Sequence, residues 1–166
     1  MIAKTKAFTL IELLVVVAII GILAAVGVVA YNGYTGAAKR EGTKSNHSQV
    51  IKLIQNTFGL CLTNETVFLV KKGGINCADP PSTFTAHFES YLGCSGRNYY
   101  PSSCLGIKNI YNGKYNMGEF LSEAYKNRNI PGETLMYPTS KSIIVQTTFL
   151  NSDGNNEILT QEVFKN

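Results

Sequence analysis

Hydrophobic residues are concentrated at the start of the chain, in an apolar run from Phe8 to Ala30. As a helix rising about 1.5 Å per residue, this run would measure roughly 34 Å, which is enough to cross a bilayer with some tilt. A single carboxylate, Glu12, interrupts the run. Because a charged group is costly in hydrocarbon and a simple anchor has no use for one, Glu12 is a candidate functional residue.

The helical pattern continues behind the apolar run. A polar stretch from Lys39 to Gln49 contains no proline, and an apolar stripe with helical spacing resumes between Val50 and Phe58. The pattern predicts one helix from Phe8 to Phe58, amphipathic in its second half, with a candidate kink or break near residues 40–46, where Gly42 lies in the polar stretch. Gly59 is the predicted stop.

The remainder of the chain contains shorter elements. A helical stripe runs from Phe84 to Leu92, and β-type residues occupy the ranges 134–137, 142–150 and 157–164. The last two ranges flank a turn-rich segment and predict an antiparallel hairpin. The fold class is therefore α+β: a long N-terminal helix, membrane-spanning in its first half, packed on a C-terminal antiparallel sheet.

Composition limits the function. The chain of 166 residues leaves room for one modest domain behind the apolar run, and its net charge of +4 argues neither for nor against nucleic acid. Of its two histidines, His47 is expected to face solvent and His87 to lie at the edge of the core. Neither has a recognisable triad partner, and the chain contains no phosphate-binding glycine motif. No enzyme activity and no cofactor are expected.

The N-terminus carries a recognisable motif. A short basic leader ending at Ala7, followed by Phe8-Thr9-Leu10-Ile11-Glu12-Leu13 and the apolar helix, resembles the type IV pilin family, which includes the pseudopilins of type II secretion. The resemblance implies cleavage between Ala7 and Phe8 by a prepilin peptidase, followed by N-methylation of Phe8. It also implies that Phe8 and Glu12 act in assembly, because in the family the corresponding glutamate pairs with the N-terminal amine of a neighbouring subunit.

Two features depart from the usual pattern of this family. Ala7 occupies the position before the cut, where glycine is the norm, and the end of the apolar run lacks the proline that many members carry. The glycines in and behind this run would either loosen the helix or allow close packing of neighbouring helices. They are Gly21, Gly27, Gly33 and Gly36.

The resemblance also implies an organisation and a location. It divides the chain into a leader (residues 1–7), a transmembrane or filament-core helix (8–36), an amphipathic continuation (37–60) and a globular head (61–166). The implied partners are other copies of the chain, the prepilin peptidase, the pilus assembly or secretion machinery, and the bacterial inner membrane. The subunit would be a single-pass inner-membrane protein before assembly and part of a surface pilus afterwards.

Two alternatives to a pilus subunit stay open. One is a pseudopilin in a periplasmic filament, and the other is a membrane-anchored binding domain that never polymerises. The sequence does not separate major from minor subunits, nor adhesion from twitching motility, DNA uptake or secretion.

The four cysteines are expected to form disulfides. Their spacing includes no C-x-x-C pair, which argues against zinc, and all lie in the part that would be exported to an oxidising compartment. Of the three possible pairings, the local one is preferred. It joins Cys61 to Cys77 and Cys94 to Cys104.

One group of oxygen side chains in the C-terminal hairpin is a candidate calcium site. Asn151, Asp153, Asn155 and Glu157 alternate along the chain, although their spacing does not match the calcium loop of an EF-hand. Because major pseudopilins bind calcium near their C-terminal sheet, the resemblance adds some support. A hydrophilic hairpin turn is the favoured interpretation.

DNA is a second, less favoured partner. The range 97–100 (Arg-Asn-Tyr-Tyr) and Tyr111, with Lys108 and Lys114, combine aromatic rings and cations. Such residues stack on bases and contact phosphates, but tyrosine-rich loops are equally common at protein contacts.

Overall fold

The computed structural model of the chain contains two compact units, Met1–Ala37 and Ala38–Asn166. Helix α1 (Leu10–Leu60) occupies much of the first unit and continues into the second. The structure describes residues 8–69, 74–93, 107–111, 113 and 130–165.

Helix α1 confirms the predicted long helix. It contains 51 residues, and both of its ends lie two residues further along the chain than expected. The candidate break near residues 40–46 is wrong, because α1 continues through Gly42. A Cβ atom at Gly42 would lie 2.5 Å from Cδ1 of Ile110. Gly42 therefore allows Ile110 to pack closely against the helix backbone.

The short elements follow α1 in the second unit. Strands β1 (Thr66–Val67) and β2 (Ile75–Asn76) form a small antiparallel pair. Helix α2 (Pro81–Gly93) confirms the helical stripe that the sequence predicts there. Its first residue is a proline, which has no backbone N–H to leave unsatisfied at a helix start.

The main sheet is antiparallel, with the strand order β3-β4-β5. Its strands are β3 (Thr134–Pro138), β4 (Ser142–Leu150) and β5 (Asn156–Phe164). They confirm the predicted hairpin and third strand. The β4–β5 register is uninterrupted from its first pair to its last, so neither strand contains a bulge.

The core lies where the second half of α1 and helix α2 pack with residues of the main sheet. Phe84 of α2 stands at its centre, with its ring centroid 5.2 Å from that of Phe58 in an edge-on arrangement. Among the described residues, Ile75 of β2 and Met136 of β3 are buried to within 2%, and the apolar side chains with no exposed surface besides Phe84 are Val50, Ile54, Phe88, Leu92, Ile143 and Val145. The side chains with no exposed surface belong to α1, α2 and β4, three elements that the hydrophobic pattern predicted.

His47 corrects an expectation from the sequence. It does not face solvent: it is 7% exposed, and its Nδ1 atom lies 2.8 Å from Oγ1 of Thr147 in β4. The same Thr147 hydroxyl lies 2.9 Å from Oγ1 of Thr134 in β3. Thr43 and His47 thus extend the buried stripe of α1 backwards into the polar stretch. Their polar side chains are satisfied by partners within the fold, which is why the apolar pattern did not reveal them.

Burial of His47 makes the stability of the folded chain depend on pH. Desolvation lowers the pKa of His47, so the folded state favours the neutral ring. Such a group contributes fully above its unfolded pKa of about 6.5, and the contribution is lost as the pH falls from there towards the lower folded pKa. We expect the melting temperature of the full chain in non-ionic detergent to fall over this interval.

Matched variants isolate the contribution of His47 to this fall. His47→Gln keeps a polar side chain but cannot titrate, so its melting temperature should depend less on pH than that of the wild type. Gln55→Asn changes an exposed, non-titrating side chain of the same helix and should retain the wild-type dependence. An equal decrease in the wild type and His47→Gln would contradict the assignment.

Candidate functional site

The first part of α1 exposes an extensive apolar surface. Large side chains from Phe8 to Val29 lie in solvent, with Leu10 as much as 87% exposed. The most apolar 18-residue window of α1 has a mean hydropathy of 3.1, and none of it is buried within the chain. By length and composition α1 can cross a membrane. A surface of this kind requires lipid or other protein around it.

Glu12 is held by Thr9 at the start of this surface. Its Oε2 atom accepts hydrogen bonds from the backbone N–H and the hydroxyl of Thr9, both at 2.8 Å. The Thr9 hydroxyl in turn accepts the N–H of Glu12 at 3.3 Å. This reciprocal arrangement is a capping box, in which a threonine before the helix and a glutamate three residues later satisfy each other's free groups.

The capping box explains where α1 begins and gives Glu12 a role within its own chain. Thr9 was missed as a functional residue, although the spacing Thr9-x-x-Glu12 is itself a recognised helix-start pattern. Phe8 lies just before the helix and is exposed. Ala7 lies outside the described residues, so the cleavage and methylation sites stay predictions.

A disulfide closes the region after α1. Cys61 and Cys77 are bonded, with their Cα atoms 5.3 Å apart, which confirms this half of the expected pairing. The bond joins the end of α1 to the residue after β2, and the N–H of Cys77 donates to the carbonyl oxygen of Glu65 at 2.8 Å. Closing a loop of this size lowers the conformational entropy of the unfolded chain, which stabilises the folded chain by about 3 kcal/mol. Cys94 and Cys104 lie outside the described part of the chain.

The oxygen side chains after β4 form the hairpin turn that the sequence favoured. Oδ1 of Asn151 accepts the N–H groups of Asp153 and Asn155, each at 3.0 Å, and Gly154 has a φ of 80°. The Asn151 side chain is therefore used in shaping the turn. Within the described ranges, no three His, Cys, Asp or Glu side chains form a group suited to a metal. Calcium binding at these residues, including Glu157, stays a prediction.

Tyr111, which belongs to the less favoured DNA hypothesis, packs within the second unit. The hydroxyl of Tyr111 accepts the N–H of Leu150 at 3.2 Å, and Nζ of Lys39 lies 5.8 Å from the centroid of its ring. The backbone oxygen of Lys108 accepts a hydrogen bond from Asn46. The Tyr111 ring is thus engaged within the fold. The range 97–100 and Lys114 lie outside the described residues.

Comparison with known proteins points to the same N-terminal segment. A family model described as the prokaryotic N-terminal methylation motif matches residues 2–28, which include Ala7, Phe8 and Glu12. Two curated relatives, both fimbrial proteins of Pseudomonas aeruginosa, are 37% identical to the chain over 78 residues. The matched part covers 47% of this chain and 44% of each relative, so the chain matches less than half the length of these relatives. No solved structure matches significantly.

Proposed function

Because the chain is a member of the type IV pilin family, we propose that it is a structural subunit of a type IV pilus-like filament. The observation that carries the proposal is the unburied apolar surface from Phe8 to Val29, which begins at a carboxylate held by a capping box. A helix of this composition is stable in lipid before assembly and against the same helix of other subunits afterwards.

In this function the apolar helix supplies cohesion and Glu12 supplies register. Residues 8–36 of neighbouring subunits bury their apolar surfaces together in the filament core. A carboxylate in such a core needs a cation close by, and the free amine of Phe8 in the next subunit is the group that cleavage would create. A fixed distance between these two charges selects one axial offset between subunits.

The proposed order of processing and assembly follows from this arrangement. The prepilin peptidase cuts between Ala7 and Phe8 and methylates Phe8, while the apolar helix holds the subunit in the inner membrane. The pilus machinery then moves it into a surface filament, so the role is structural rather than catalytic. The matched relatives are named fimbrial protein, which supports a pilin-like subunit. The choice between a pilus subunit and a pseudopilin is made by the experiment that follows.

Tandem mass spectrometry of the N-terminal peptide tests this function. We expect a chain that starts at methylated Phe8 in the sheared surface fraction and in membranes. A processed chain confined to membranes would favour a pseudopilin or a minor component. An intact Met1 in every fraction would overturn the filament assignment and leave a tethered domain.

A further inference from the structure

The main sheet has one covered edge and one open edge. Strand β3 forms the first edge and is buried from Thr134 to Tyr137. Strand β5 forms the other edge and is exposed along its length, except for the buried Val163 and the half-buried Leu159. The β5 edge is therefore accessible to other molecules, whereas the β3 edge is covered by the rest of the fold.

The hydrogen bonds at both ends of the β4–β5 pair show which backbone groups point to the open edge. The N–H of Asn151 donates to the oxygen of Asn155 at 2.8 Å, and the N–H of Lys165 donates to the oxygen of Lys141 at 2.9 Å. Since bonded and non-bonded pairs alternate in an antiparallel ladder, odd-numbered residues of β5 bond to β4 and even-numbered residues point outward.

The outward backbone groups form a row of donors and acceptors. No hydrogen bond from elsewhere in the described chain reaches them. The residues that contribute them are Ile158, Thr160, Glu162 and Phe164. Their side chains share one face of the strand, where Ile158 is 42% exposed and Phe164 is 60% exposed.

This edge lacks most of the devices that keep exposed strands from pairing with other chains. Natural edge strands are shortened, bulged, covered, or carry proline or charged side chains, lysine above all. Of these devices, β5 has only its two charged side chains, Glu157 and Glu162. Strand β5 has nine residues, contains neither proline nor lysine, and keeps its register without a bulge. An edge of this kind is a template for strand addition.

We propose that the β5 edge binds an extended, basic segment of a partner protein, which adds to the sheet as a fourth strand. Both charged side chains of β5, Glu157 and Glu162, are acidic and exposed, and they lie on opposite faces of the strand. One carboxylate oxygen of Glu162 accepts a hydrogen bond from the hydroxyl of Ser142 in the neighbouring strand, which fixes the position of this charge at the edge. A partner strand with lysine or arginine on both faces would complement them. A second copy of β5 carries the same acids, and the lysine that follows it, Lys165, already donates to the backbone oxygen of Asp79 in its own chain.

The interaction goes beyond the filament function, because it uses the second unit and does not depend on polymerisation. Its backbone bonds would supply affinity without sequence preference. Specificity would come from the partner's cations opposite the two glutamates and from apolar side chains beside Ile158 and Phe164.

Amide hydrogen exchange of the full-length chain in non-ionic detergent micelles tests the proposal. The probe is a synthetic nine-residue peptide of alternating valine and threonine with lysines at positions 3 and 8, which lie on opposite faces of an extended strand and match the five-residue spacing of Glu157 and Glu162. We expect the amides of Ile158, Thr160 and Glu162 to exchange rapidly in the free chain and to slow by about tenfold or more with the peptide. The same peptide with glutamates in place of lysines should have no effect.

A proline substitution separates the open edge from the rest of the fold. Thr160→Pro removes an outward N–H that takes no part in the β4–β5 ladder, so the sheet should persist while peptide binding is lost. Thr160→Val keeps the N–H and should bind as the wild type does. Should Thr160→Pro fail to fold, Thr160→Lys keeps the ladder and should weaken binding by repelling the lysines of the probe.

Several results would overturn the proposal. These are protection of the even-numbered amides in the free chain, an unchanged exchange rate with the basic peptide, or equal binding by the acidic peptide. Concentration-dependent protection without any peptide would instead assign the edge to a second copy of the chain.

Discussion

Glu12→Gln chains are expected to remain in the membrane and to lose surface filaments by an order of magnitude or more, because the neighbouring amine is left without a counter-charge. Glutamine at this position preserves the capping box with Thr9, since either glutamate or glutamine accepts the threonine N–H. The substitution therefore removes the charge and keeps the helix start. Filaments in sheared fractions, normalised to the membrane-bound subunit, are the measurement.

Two controls separate charge from helix capping. Glu41→Gln changes an exposed glutamate of the same helix, whose only described ion pair is with Lys44, and should leave the number of filaments unchanged. Thr9→Val keeps the Glu12 charge but removes the hydroxyl of the capping box. Normal assembly of Glu12→Gln, with defective assembly of Thr9→Val, would show that Glu12 acts through capping and not through charge.

Phe84→Ala is expected to lower the free energy of unfolding by about 3–5 kcal/mol, because it empties the centre of a packed core. The Phe84 ring is completely buried, lies edge-on to Phe58, and has its centroid 6.4 Å from that of Phe88. Nζ of Lys165 lies 4.9 Å from the same centroid, so the end of the chain loses a contact as well. Urea unfolding of the full chain in non-ionic detergent measures the change.

The matched control is a phenylalanine outside the core. Phe68 is exposed beside β1, so Phe68→Ala should change the free energy of unfolding by less than about 0.5 kcal/mol. A comparable loss in both variants would mean that Phe84 does not stand at the centre of the core. A loss confined to Phe84→Ala would establish that α2 and α1 are stabilised by the same cluster.

The main elements of this fold could be predicted because their signals are local. The apolar run before Ala30 is recognised by its length, the stripe from Val50 to Phe58 follows helical spacing, and the turn at Asn151 lies between two β-rich runs. Each pattern is formed by residues that are close together in the sequence, so these elements could be predicted without knowing which distant residues meet. The local pairing of Cys61 with Cys77 was predictable for the same reason.

The candidate site was also readable from the sequence, with one residue overlooked. The unusual position of Glu12 marked it as functional, and the motif around it indicated the family. Thr9 lies only three residues away, and its spacing to Glu12 would have revealed the capping box. That omission was not a limit of the sequence, since both partners belong to the same turn.

The amino-acid sequence by itself determined the long helix, the hairpin and the N-terminal motif, because these depend on side chains close together along the chain. Only the tertiary structure decided that His47 is buried, since its partner Thr147 lies 100 residues further along. The tertiary structure likewise decided that the Ile110 side chain packs against the backbone at Gly42. It also decided that strand β3 is buried while the edge formed by strand β5 is exposed. Such outcomes depend on which distant surfaces meet, and local periodicity carries no information about that.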